Sequence, residues 1–136
     1  DLDTKEEKEE LTKKNEEYKD IFKVMKDTLK DNITDVRFTH RLKNHPVCLV
    51  SEGNVSIEME KVMNAMPTDD KVKANTILEI NENHEISKKL EKLYQSDKQE
   101  LEKYTKVLYA QARLIEGLPI ENPTEISNLV CEILSK

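Results

Sequence analysis

The run NPTEISNLVCEIL, residues 122–134, reads as a helix that cannot stand alone. Asn122 is placed to cap it, Pro123 suits the first helical position, and Glu125 can reciprocate the cap. Ile126, Leu129, Val130, Ile133 and Leu134 then fall at helical spacing and form one full apolar stripe. At about 2 kcal/mol per fully buried side chain, those five represent about 10 kcal/mol of gross stabilisation before ordering costs. Two arrangements bury the stripe: it folds back onto this domain's own sheet, or it joins a second copy of the chain. Leu134 lies two residues from the end of the sequence, so little following chain is present to cover it, which favours the second.

Upstream, Gly117-Leu118-Pro119 is a left-handed helix stop, and the helix it ends carries Leu101, Tyr104, Leu108 and Ile115 behind a Ser96-Asp97-Lys98-Gln99 capping box. The last two helices form a hairpin, and two hairpins related by a two-fold axis enclose a four-helix core. Before them, Ile86, Leu90, Leu93 and Tyr94 mark a further helix. Three strands precede these helices. Thr34, Val36 and Phe38 alternate with Asp35 and Arg37; Val47-Cys48-Leu49-Val50 is an apolar run after Pro46; Thr76-Ile77-Leu78-Glu79-Ile80 repeats the signature. The fold class expected is therefore α+β: a small three-stranded mixed sheet covered by helices, then the helical hairpin. Residues 1–20 hold nine acidic and five basic side chains with Leu2, Leu11 and Tyr18 as the only large apolar groups. They read as a charged lead-in or linker helix, capped by Thr4 and Glu7. It runs into an amphipathic helix with Ile21, Phe22, Val24, Met25 and Leu29 that ends near Asp31. Residues 21–95 are the α/β part and 96–136 the dimerisation helices.

Charged residues make up 37% of the 136, and the net charge of −6 comes from acids and bases that alternate along the helices. No basic face gathers, so nucleic acid is not an expected partner. No apolar stretch approaches the ~20 residues that cross a bilayer and no signal segment opens the chain, so no membrane partner and a cytoplasmic location are expected. Cys48 and Cys131 sit in unlike elements, as buried thiols of a reducing compartment do. The absence of an initiator Met at Asp1 suggests a piece of a longer protein.

Asn54 is placed to cap a helix bearing Val55, Met59, Val62, Met63 and Met66, with Pro67 just beyond it. Three of the four methionines lie here, and a face rich in this flexible, polarizable side chain can repack against unlike partners. Either that face is exposed and binds apolar segments, or the methionines fill the core. With only Gly53 and Gly117, the chain has no phosphate-cradling loop and no dinucleotide fingerprint. His40, His45 and Cys48 match no standard zinc spacing, so no metal is expected, and no cleft-bound carboxylate offers acid–base chemistry. No catalytic residues and no cofactor are expected.

Three strings then carry a resemblance: Phe22-Lys23-Val24-Met25-Lys26-Asp27-Thr28-Leu29, Val36-Arg37-Phe38-Thr39-His40-Arg41-Leu42 and Leu78-Glu79-Ile80-Asn81. In order and spacing they resemble the C-terminal domain of the ninety-kilodalton heat-shock chaperones, the bacterial high-temperature-protein-G branch in particular. The resemblance implies a homodimer held by the last two helices, with the nucleotide-binding and middle domains upstream, so any ATPase activity would lie outside these residues. It implies binding of unfolded or partly folded client proteins at Val55, Met59, Val62 and Met63. Glu82 and Glu85 stand where that family often has proline, and the Cys-Glu-Ile-Leu-Ser-Lys ending lacks the acidic tail that recruits helical-repeat co-chaperones. The competing reading is a purely structural α-helical adaptor with the methionine helix as core and the acidic lead-in as a docking arm. A small enzyme is a third class, for which no nucleophile, base or ligand set can be named.

Overall fold

The alternation at Asp35–Thr39 is realised in a sheet whose central strand arrives last. In the computed structural model, which describes residues 4–67 and 72–136, β1 (Asp35–Thr39), β2 (Val47–Glu52) and β3 (Asn75–Asn81) lie in the order β1-β3-β2. β3 runs parallel to β1 and antiparallel to β2, so the sheet is mixed. Its position between two neighbours explains why every residue from Thr76 to Asn81 is buried. Val36 and Leu49 flank Leu78, and Phe38 and Val47 flank Ile80, so these six apolar side chains share one face. Arg37 and Cys48 flank Glu79 on the opposite face.

Helices cover the apolar face. α1 (Lys5–Glu17) and α2 (Lys19–Leu29) are followed by a 3-10 turn at Lys30–Asn32; α3 (Ile57–Ala65) separates β2 from β3; α4 (Ile86–Ser96), α5 (Lys98–Ile115) and α6 (Pro123–Leu134) complete the chain. α2 buries Ile21, Phe22, Met25 and Leu29. Phe22 and Tyr18 meet Phe38 edge-on at centroid distances of 4.9 and 4.7 Å, a geometry aromatic quadrupoles favour. α5 packs on both α2 and β2 and is the spine of the domain.

The α+β class and the order of elements agree with the sequence reading, while several local assignments change. The continuous first helix is two helices: Tyr18 breaks it, and Lys30 closes α2 at φ 53°, ψ −122°, a conformation that favours glycine. The lead-in does reach the core, because Tyr18 is buried, Leu11 packs against the cluster and Asn15 Oδ1 accepts a 2.8 Å bond from Phe38 N. Leu2 lies outside the described residues. The cap of α3 is Ser56, not Asn54, and that of α5 is Asp97, whose side chain accepts from Glu100 N, while Ser96 bonds back to Lys92 O. Asn122 caps α6 through its backbone alone. Gly117, at φ 76°, forms a complete Schellman stop: Gly117 N donates to Leu114 O and Leu118 N to Arg113 O. Cys131 is exposed rather than buried.

Candidate interaction surfaces

Helix α3 begins where Ser56 Oγ accepts the Met59 amide, and ends at Met66, which Pro67 holds extended at ψ 145°. Two turns of ordinary amphipathic helix would bury Met and Val and expose Glu. The reverse occurs here. Glu60 is 2% exposed, with Oε1 accepting 2.7 Å from Ala74 N and Oε2 accepting 3.3 Å from Arg113 Nη2. One turn on, Asn64 Oδ1 accepts from Val72 N. Meanwhile Met59, Val62 and Met66 are 46%, 62% and 45% exposed, and Val55 and Met63 are half-buried. Beyond Ile57, which is buried at its first turn, the helix is fastened by polar side chains and turns Met59, Val62 and Met66 outward. The methionine that does fill the core is Met25, so the core-filling alternative for Met59 and Met66 fails within this chain.

The α5–α6 hairpin divides the second set of predicted residues. Leu101 and Leu108 are buried in this chain's own core, and Tyr104 is half-buried against it. α6 runs antiparallel along α5, with Lys106 reaching Glu125, Lys103 reaching Glu132 and Lys136 reaching Glu100. No residue of α6 is buried: Ile126, Leu129, Val130 and Ile133 are half-buried, whereas Leu134 is exposed. Ile115 is exposed as well, together with Leu114, which the sequence reading missed because it stands off the apolar face of α5. The surface that stays open is therefore α6 with the last turn of α5.

Three buried carboxylates also escaped the sequence reading, because the partners that hold each of them lie far along the chain or on another element. Besides Glu60, Glu79 sits on the polar face of the sheet, held by Arg37 Nε at 2.8 Å and by Arg41. The Cys48 Sγ–H points at it from 3.8 Å, and burial first, then the Glu79 charge, push that thiol up to about 11. Such a thiol is a poor nucleophile. Glu100 accepts from Lys136, and its Oε1 has no partner among the described residues. His40 pairs with Glu82 at 3.1 Å, and the His45 carbonyl accepts from Asn81. Among the described residues no group of three His, Cys, Asp or Glu gathers as a metal site, and no helix is long and apolar enough to cross a membrane.

A sheet of this order, an outward-facing methionine helix and an open terminal hairpin accompany a family match over the whole length. The model described as Hsp90 protein matches residues 1–136. The chain belongs to the Hsp90 family. Curated relatives of the Hsp90 chain include the chaperone protein HtpG of Bacillus subtilis strain 168, 47% identical over 133 residues. HtpG of Clostridium botulinum strain Langeland is 52% identical over 130 residues, and HtpG of strain Hall 54% over 114. These alignments cover 98%, 95% and 84% of the chain. They cover only 21%, 21% and 18% of the relatives, so this Hsp90 chain spans about one fifth of their length.

Proposed function

We propose that this Hsp90-family chain is the C-terminal dimerisation and client-holding part of an ATP-dependent chaperone of the HtpG type, and is not itself an enzyme. ATP binding and hydrolysis then belong to parts of a longer protein outside these residues, and the location is the bacterial cytoplasm. The observation that carries the client-holding role is the reversed polarity of α3: Glu60 is buried while Met59, Val62 and Met66 face out. Exposing these side chains forgoes apolar burial that the chain's own fold would reward, and clustered exposed apolar groups mark interaction sites. The unbranched, polarizable methionines accommodate apolar segments of differing shape, as a chaperone requires. Two copies joined through Ile115, Ile126, Leu129, Val130, Ile133 and Leu134 would set two such helices on one assembly, and two weak contacts with one extended client then reinforce each other.

Binding of a fluorescein-labelled, reduced and carboxymethylated lactalbumin, followed by anisotropy, tests the reading. Val62→Ser, at a position that contributes little to the fold, should weaken binding several-fold while leaving the thermal midpoint unchanged. Equal affinity in Val62→Ser and a Met59→Ser/Met66→Ser variant would remove α3 from the client site. The adaptor alternative retains only the acidic lead-in as a docking arm, and deletion of residues 1–10, which spares Leu11 and Asn15, with no loss of client binding counts against it.

A further inference from the structure

Arg113 is buried among groups that come from three places in the chain. Its Nη2 donates to Glu60 Oε2 on α3 at 3.3 Å, and its Nε donates to Pro119 O in the α5–α6 connection at 2.7 Å. Its Nη1 reaches Tyr109 Oη one turn back on α5, and the guanidinium lies beside that ring. Glu60 in turn receives Ala74 N from the segment entering β3. Both partners are at least nine-tenths buried, 5% and 2% exposed at their side chains. Lys61, the next residue of α3, lies over the α5–α6 turn, with Nζ 3.4 Å from where a Cβ on Gly117 would stand. The two residues after Arg113, Leu114 and Ile115, are exposed.

α3 otherwise has few ways to be held. Its only buried apolar residue is Ile57, at its first turn, while Glu60 is buried in the second. A helix anchored by apolar packing tolerates small rotations, because dispersion contacts are non-directional. A guanidinium that holds the Glu60 carboxylate with one nitrogen and the Pro119 carbonyl with another tolerates them less, since its donors have fixed directions. Arg113 therefore ties the orientation of α3 to the last turn of α5, the turn whose outer side is the open apolar surface.

We propose that Arg113, acting through Glu60, is the positioning residue that holds the outward face of α3 in register with the α5–α6 hairpin. It touches no client; it decides which way Met59, Val62 and Met66 point. This rests on α3 being the client-holding element. Because α3 and the last turn of α5 share one buried anchor, anything that orders that turn, such as a second copy on Leu114 and Ile115, also steadies α3. Client binding and pairing then favour each other reciprocally.

The test uses the double variant Glu60→Gln/Arg113→Met in the complete chain, with Arg113→Lys beside it. Gln keeps an acceptor for Ala74 N and Met keeps the length of the arginine stem, so no buried charge is stranded and the fold is retained. Arg113→Lys keeps the charge and loses the planar guanidinium. Three quantities are read: thermal midpoint, amide hydrogen exchange resolved to residues 57–65 and to 98–115, and affinity for the labelled lactalbumin. The expected result is an unchanged midpoint, faster exchange in 57–65 with unchanged exchange in 98–115, and an affinity loss of about tenfold in the double variant. Arg113→Lys falls between it and the parent. Unchanged exchange in 57–65 together with unchanged affinity in the double variant would overturn the proposal, as would equal acceleration in both segments, which marks general loosening. If the parent chain fails to bind lactalbumin, the client reading fails, while the exchange contrast still decides whether Arg113 positions α3.

Discussion

Glu60→Ala should destabilise this protein more than any substitution of the exposed methionine-helix residues. The change removes the acceptor from the buried Ala74 N–H, worth about 1–3 kcal/mol when left unsatisfied. It also strands the Arg113 guanidinium, and breaking a buried pair by removing one partner costs about 3–5 kcal/mol. The two penalties overlap at one carboxylate, so a loss of about 4 kcal/mol is expected rather than their sum. Val62→Ser sits at the other extreme, 62% exposed in this chain, and should fall within about 0.5 kcal/mol of the parent. Urea unfolding followed by circular dichroism at one fixed protein concentration measures both, the fixed concentration being needed wherever pairing adds to stability. An ordinary amphipathic helix predicts the opposite ranking, with the charged residue indifferent and the valine costly. Finding Val62→Ser more destabilising than Glu60→Ala would refute the reversed orientation of α3.

Further outcomes follow from other sites. Lys30→Gly should stabilise by about 1 kcal/mol, because glycine adopts φ 53°, ψ −122° without the strain a side chain imposes there; a loss of stability in urea unfolding would contradict it. Of the two thiols, Cys131 should react with a chromogenic disulfide at once and Cys48 only on unfolding, in keeping with their exposure; two fast thiols would contradict the structure. Burial raises the folded pKa of Cys48 from 9.0 to about 11, so the unfolded chain gives up that proton first. Stability is then complete below pH 9 and declines as pH climbs toward 11. Cys48→Ala should flatten that decline, and Tyr18, also raised by burial, should keep part of it. Peroxide should oxidise Met59 and Met66 before Met25, as peptide mapping would read.

The parts of this architecture that were legible in the sequence are those set by local chemistry. Gly117 followed by Leu118 specifies its own stop, Pro67 ends α3, and the alternation through Val36 and Phe38 marks a strand. The parts that were not legible depend on partners far along the chain. Glu60 looks like a solvated residue between Met59 and Val62 until Arg113, 53 positions away, is brought beside it. Leu101 and Leu108 sit on the same kind of stripe as Leu129, and only the packing of α5 on β2 and α2 shows that they serve this chain's own core. Asn15 gives no sign of binding the Phe38 amide, because an edge strand's needs appear only once the strand order is known. Met59, Val62 and Met66, the exposed residues at this helix, lie in the stretch that composition singled out, since clustered methionine is a local signal. How they are held was not legible.

The central claim is that this chain works as a pair, and its mass in solution tests that most directly. Size-exclusion chromatography with light scattering at micromolar concentration should return twice the 15.9 kDa chain mass, falling to the single mass in Leu129→Asp, which would bury an unpaired charge at the seam. A single-chain mass for the parent protein at that concentration would contradict the account.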